Sequence, residues 1–344
     1  MSATALQGVL RRLIAGEVLD AEAAAEAFRV VMSGEGTAAQ MAALLMGLRM
    51  RGERASEVAG AARALREAMT KIPSADPTAL VDTCGTGGGT VGTFNISTAS
   101  AILAAGAGVR IAKHGNRSFT SKSGSADVLE ALGVPIDVPV PRMRDVLDEA
   151  GIVFMFAPTM HPAMRHVGPV RREMGIQTVM NLIGPLANPA MAGRQVIGVA
   201  DPARLELIAG ALQELGTVHS LVVHGEPGMD EISPLGPTTI IEIRDRAMTR
   251  FTFDPATVGI EGIAASDLAG GEPEQNATII ERVLLGKGSA GAEAAVVLNA
   301  GAALYVGGRA ESLEAGVTLA RVALREGRGW DALGRLRAAT ASRR

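Results

Sequence analysis

The chain has 344 residues, a formal net charge of −3, 47% hydrophobic and 20% charged residues, which suits one large globular domain or two. A slightly acidic balance with only 3% aromatics argues against nucleic acid as a partner, since both the basic face and the stacking platform are missing. The single Cys84 excludes an internal disulfide framework, and no apolar run is long enough for a membrane span.

Residues 1–71 read as helices throughout. Met1 to Leu13 is amphipathic, with Leu6, Val9, Leu10 and Leu13 on one stripe. It carries Arg11 and Arg12 and lacks the apolar core of a signal peptide, so cytoplasm is the expected location. Asp20 is placed to cap a second helix, Ala21 to Ser33, and Thr37 a third, Ala38 to Met50. The third is apolar nearly all round, which predicts burial. Ser56 opens a fourth, through Met69. Four short helices bury little alone, so their apolar faces call for a second domain or a second subunit.

Ile72-Pro73 to Pro77 is a proline-containing linker. Beyond it, short β-branched runs alternate with helical patterns. The runs are Leu80–Asp82, Val109–Ala112, Ile152–Phe156, Gln195–Val199 and Ser220–His224. Helices are expected at 98–107, 125–132, 142–150 and 203–215. That alternation predicts an α/β sheet with mostly parallel strands. Residues 160–189 depart from it and read as two helices, 163–173 and 176–182. Thr238 to Phe253 is β-rich. The last third ends in helices at 274–285, 291–305 and from Ser312, with no catalytic signature.

The stretch from Asp82 to Asp127 carries the chemistry. Gly85, Gly87, Gly88, Gly89 and Gly92 crowd one loop between a strand and a helix. Without Cβ atoms, such a loop brings backbone N–H groups close to an anion. The following helix start adds unpaired donors and partial positive charge, with Ser97 or Thr98 placed to cap it. Lys113, Arg117 and Lys122 add full charges. A mononucleotide P-loop is excluded because no Gly-Lys-Ser/Thr ends the run. The dinucleotide fingerprint fails at Thr90. Cys84, with no base beside it, reads as a small buried residue.

GTGG at 85–88, NIST at 95–98, KHGNR at 113–117 and SGSADVLEALG at 123–133 resemble the anthranilate phosphoribosyltransferase family, over essentially the whole chain. The resemblance implies a small all-helical domain, residues 1–71 with a return segment at about 163–189, that carries a homodimer interface. It implies a large α/β domain from 72–162 and 190–344. It also implies transfer of a phosphoribosyl group from phosphoribosyl pyrophosphate to the amine of anthranilate, with Mg²⁺, two ions, as cofactor. Charge builds on pyrophosphate as the sugar becomes oxocarbenium-like, so cations are needed and a covalent nucleophile is not.

By the same resemblance, phosphoribosyl pyrophosphate is held by Gly85, Gly87, Gly88, Thr93, Asn95, Ser97, Thr98, Lys113, Asn116, Arg117, Ser118 and Ser125. Anthranilate falls to Gly85, His114, Asn116 and Arg171, whose fork suits its carboxylate. Ser97, Asp230 and Glu231 are the expected metal ligands; an adjacent carboxylate pair suits Mg²⁺ completed by phosphate oxygens. His161 has no assigned role, and NAGAALYV (299–306) reads as core. One departure stands out: the family's loop usually reads GTGGDG, and here Gly89 holds the aspartate's place and Thr90 the next glycine's. A pyrimidine nucleoside phosphorylase, and an inactive nucleic-acid-binding relative, remain alternative readings.

Overall fold

A computed structural model describes residues 3–74, 76–118 and 122–341. Met1 and Ser2 of the first expected helix lie outside that range. The first four helices are α1 (Ala3–Ile14), α2 (Ala21–Ser33), α3 (Ala38–Arg51) and α4 (Ala55–Ala68). Asp20 accepts from Ala23 N–H at the start of α2, and Thr37 with Gln40 closes a capping box on α3. The fourth helix starts one residue before Ser56, whose hydroxyl instead donates to Leu19 O.

The sheet domain follows as β1 (Val81–Gly85), α5 (Ile96–Gly106), β2 (Ile111–Gly115), α6 (Ser125–Ala131), α7 (Val140–Ala150) and β3 (Ile152–Phe156). The chain then crosses back through α8 (Ala157–Met160), α9 (Met164–Met174) and α10 (Val179–Leu182). It resumes as β4 (Arg194–Gly198), α11 (Leu205–Glu214), β5 (His219–Gly225), β6 (Thr238–Arg244) and β7 (Ala247–Phe253). Four helices close it: α12 (Pro273–Leu284), α13 (Ala290–Val306), α14 (Leu313–Arg325) and α15 (Arg328–Ala341). The helix expected from Ser312 is therefore two, α14 and α15.

The seven strands lie in the order β3-β2-β1-β4-β5-β6-β7, parallel up to β5 and antiparallel beyond. A two-residue turn, Asp245-Arg246, joins β6 to β7, with both residues at positive φ. That geometry matches the twist of a hairpin. From β1 the chain first moves outward to β2 and β3, then returns to β4 on the other side. The ends of β1 and β4 therefore form a topological switch point, where open α/β sheets bind ligands.

Period-two alternation sends side chains to two cores. Leu221 and Val223 of β5 join the core under α5, α13 and α15, while Val222 joins the core of the helical bundle. Ile197, Ile241 and Ile243 do the same, together with α11. The bundle thus finds its missing partner in the second face of the sheet. Within it α2 and α4 approach so closely that a Cβ on Gly60 would lie 2.4 Å from Ala21 O and 2.6 Å from Ala24 Cβ. Gly60→Ala should therefore cost about 1–3 kcal/mol by overpacking. Urea denaturation monitored by far-UV circular dichroism checks this; an unchanged midpoint would contradict the close packing.

Candidate active site

The glycine loop leaves β1 at the switch point. Gly85 and Gly198 are register partners at the paired ends of β1 and β4. The segment after β5 descends onto both. A Cβ on Gly198 would lie 1.5 Å from Asp230 O, and one on Gly85 would lie 2.3 Å from Asp230 Oδ2. Two missing side chains therefore make the seat for Asp230. Gly87 N–H donates to its Oδ2 at 2.8 Å, from a residue at φ 69° that favours glycine. Thr90, at the place of the glycine that follows the family's aspartate, ties the loop across: its N–H donates to Gly228 O and its hydroxyl to Pro227 O, each at 2.9 Å.

A cavity of about 580 Å³ opens above, lined by residues 87–97, Lys122, Ser123, Asp230, Glu231, Gly270, Gly271 and Asn276. Gly87, Gly88, Thr93, Asn95, Ser97, Asp230 and Glu231 were all expected here. Gly270, Gly271 and Asn276 were not. Their only sequence signal was a glycine pair before α12. Asn95 sits at the cap position of α5 but does not cap it. Its amide donates to Ser123 O, and its oxygen accepts from Ser123 Oγ and Asn276 Nδ2. Neither Ser97 nor Thr98 is the cap: Thr98 Oγ1 is buried without a partner, and Ser97 lines the cavity. A smaller cavity of about 180 Å³ lies across the loop, between Gly87-Gly88 and Gln177, Thr178, Asn181 and Arg204.

Other expected residues stand beside the cavity, not on it. Lys113 is buried, and its ammonium donates to Thr83 O at 2.6 Å and Ser97 Oγ at 3.1 Å. It holds the cavity wall from beneath. Arg117 turns away to Asp127 and Glu130 on α6, over the Phe156 ring. Asn116 Oδ1 accepts from Arg117 N–H, and Ser125 Oγ donates to Asn116 O. Ser118 N–H and Gly124 N–H both donate to Asp127 Oδ2, so this loop is sewn to the start of α6. Arg171, on α9, lines neither cavity; it is half-buried, and no described residue pairs with its guanidinium.

Burial sets the electrostatics. It raises the carboxyls of Asp230 and Glu231 above their ordinary values, Glu231 further for lying beside Asp230. Glu231 accepts no hydrogen bond from any described residue. Among the described residues no three His, Cys, Asp or Glu gather to hold a metal alone. Two carboxylates without an ion-pair partner among the described residues, lining one cavity with a serine, nonetheless fit a hard cation whose other ligands come from a phosphate substrate. Burial raises the Cys84 thiol, which keeps it an inert neutral group.

Position 89 faces this centre. A Cβ there would lie 3.3 Å from Asp230 Oδ1, so a side chain at this position would stand against that carboxylate. Gly89→Asp adds a like charge, and its rate should depend more steeply on Mg²⁺. Superimposable Mg²⁺ titrations of the two proteins would show that position 89 is electrostatically silent.

His114 and His161 meet in the interior, with Nε2 atoms 3.1 Å apart and rings edge to face. One must donate to the other, so they cannot both be charged. Burial pushes His114 down to about 3 and His161 to about 4. Below pH 6.5 the unfolded chain binds protons here that the folded chain refuses, so stability present above 6.5 is lost as pH falls toward 4. Asp82 works against this: burial pushes it up to about 6, so the folded chain takes that proton first. His161→Gln should flatten the pH dependence by about 1.4 kcal/mol per unit. Urea midpoints at pH 7 and pH 5 for both proteins check this; parallel losses would contradict it.

Known proteins resemble this chain over most of its length. Residues 7–69 match the helical bundle domain of a glycosyl transferase family, and 77–330 its a/b domain. An anthranilate phosphoribosyltransferase from Thermomicrobium roseum is 48% identical, over 96% of this chain and 95% of its own. One from Rubrobacter xylanophilus is 47% identical, over 96% of each. The crystal structure of the Thermus thermophilus enzyme superposes with a TM-score of 0.91 at 43% identity, covering 99% of this chain and all of that one. The Saccharomyces cerevisiae enzyme, in complex with phosphoribosyl pyrophosphate and Mg, gives 0.88 at 26% identity, covering 98% of each chain.

Proposed function

The chain belongs to the anthranilate phosphoribosyltransferase family, and on that footing we propose how its own residues carry the reaction. The reaction joins the amine of anthranilate to C1 of the sugar and releases pyrophosphate, a step of tryptophan biosynthesis. The single observation behind the assignment of roles is the cavity at the switch point, walled by glycine N–H groups on one side and by Asp230-Glu231 on the other. Pyrophosphate lies along Gly87 and Gly88 and the start of α5, where the helix dipole and the loop N–H groups other than that of Gly87, which already serves Asp230, meet it. Lys122 adds a charge at the rim. Asp230, Glu231 and Ser97 would hold Mg²⁺, which supplies charge neutralisation for the departing pyrophosphate. Lys113 keeps Ser97 aimed at that point.

The amine is neutral near pH 7, so no strong base is demanded of the chain. Arg171 supplies the acceptor carboxylate's partner. Its guanidinium is half-buried with no acid upon it, a state that favours an incoming anion. The test of the whole reading is loss of anthranilate fluorescence when phosphoribosyl pyrophosphate and Mg²⁺ are added. A folded sample without turnover would overturn it. Arg171→Ala should raise KM for anthranilate by an amount worth about 1.5–3 kcal/mol, with a smaller effect on phosphoribosyl pyrophosphate. Equal effects on both substrates would remove Arg171 from the acceptor site.

The protein acts as a homodimer through α1 and α3 in this reading. Met41, Leu44, Leu45 and Leu48 of α3 are buried within the bundle, yet Met50 is 80% exposed, Ile14 88%, Val18 49% and Met46 39%. These stand next in sequence to Leu13, Glu17, Gly47 and Arg51, which bring α1 and α3 together, and exposed apolar side chains of this kind suit an interface. Light scattering at micromolar concentration should give twice the 35.3 kDa chain mass; a monomer would contradict this interface.

A further inference from the structure

Asn299 stands in a helix with almost no other polar business. Fourteen of the 17 residues of α13 are buried, and Asn299 is the one among them with a hydrogen-bonding side chain. A buried amide must find partners for two protons and an oxygen. Asn299 finds all of them: Nδ2 donates to Ala295 O and to Ile232 O, and Oδ1 accepts from Ile232 N–H, each at 2.9 Å. One side-chain amide thus occupies both backbone groups of Ile232, as a neighbouring strand would.

Ile232 follows Glu231 directly, and its side chain is anchored in the core. Glu231 makes no hydrogen bond of its own among the described residues, so the hydrogen bonds that hold it in place are those on the backbone around it. On the N-terminal side that backbone is fixed by Thr90 and by the Gly85–Gly198 seat. On the C-terminal side it is fixed by Asn299. Asn299 and the carboxylate pair line one small cavity of about 10 Å³, together with Ser97 and Ser100. Two like charges held side by side repel, and the relaxed response is for the second to swing outward.

We propose that Asn299 is a positioning residue for the metal carboxylates: by gripping Ile232 it holds Glu231 beside Asp230, facing Ser97. The inference rests on the assignment of Asp230 and Glu231 to Mg²⁺ made above. Outer partners that orient a metal ligand change metal affinity by roughly 10–100-fold when removed. A merely structural asparagine would lower stability and leave metal affinity alone.

The test compares Asn299→Ala, Asn299→Asp, Glu231→Gln and Leu304→Ala with the parent protein. Asn299→Asp keeps the acceptor for Ile232 N–H and loses the donor, so it serves if the alanine variant fails to fold. Leu304, fully buried near the far end of α13, gives a destabilised control. Mn²⁺ binding in the presence of pyrophosphate is read by electron paramagnetic resonance, alongside Tm and the rate as a function of Mg²⁺. Asn299 variants should weaken Mn²⁺ binding by about 10-fold or more and shift half-maximal Mg²⁺ upward equally, with KM for anthranilate unchanged. Leu304→Ala should lower Tm and move neither metal curve. Metal curves of the Asn299 variants that superimpose on the parent's, or an equal shift from Leu304→Ala, would overturn the proposal. If Glu231→Gln leaves Mn²⁺ binding intact, the metal assignment itself fails; if only Glu231→Gln weakens it, Asn299 is structural.

Discussion

Gly85 and Gly198 end the two strands that meet at the switch point, and neither has a side chain to occupy the space above the sheet. Everything chemical in the molecule follows from that gap. The segment carrying Asp230 packs directly on both glycines, with its carbonyl where a Gly198 Cβ would be. In this position one Asp230 oxygen accepts from Gly87, and the glycine loop is drawn over the cavity. Thr90 then locks the loop to the turn before Asp230. The glycine loop and the carboxylate pair, which the proposed reaction would turn toward phosphate and cation, are thus built as one unit. The geometry of each depends on the other.

The charges beneath this unit are arranged with unusual depth. Lys113 and Asp82 are both buried on neighbouring strands, without a direct ion pair. Burial lowers the first and raises the second. Asp82 is held by His114 N–H and by the amide of Asn188, which also bonds Ala112 O and receives the chain as it crosses back from β3 to β4. The crossing therefore shares hydrogen bonds with the strands under the site. The same polar layer that supports Ser97 from below also fixes the return segment that carries Arg171.

The sequence made the frame legible because its signals were local. Alternating β-branched runs and helical stripes, Asp20 and Thr37 caps, and five clustered glycines each act within a few residues. Strand β2 was placed too early, at Val109–Ala112, because Lys113 and His114 look like loop residues. They lie instead on a buried strand, with Thr83 O and the His161 ring as partners. The cap of α5 was misplaced too: Ser97 and Thr98 lie inside the helix, which starts at Ile96, and Asn95 before it gives its amide group to Ser123 and Asn276. The C-terminal contribution was illegible. Asn276 and Asn299 reach the site across 181 and 67 residues of sequence respectively, and a lone asparagine in an apolar helix gives no sign of where it points.

The claim that an empty space between two strands seats the carboxylates is tested most directly by filling it. Gly198→Ala puts a methyl group where Asp230 O now lies and touches no expected substrate contact. The decisive measurement is Mn²⁺ binding by that variant in the presence of pyrophosphate, on protein whose far-UV circular dichroism and elution volume match the parent's. The account predicts that binding is weakened by about 10-fold or more, because Asp230 and Glu231 must shift together. Binding equal to the parent's would show that the carboxylates are placed by something other than the glycine seat.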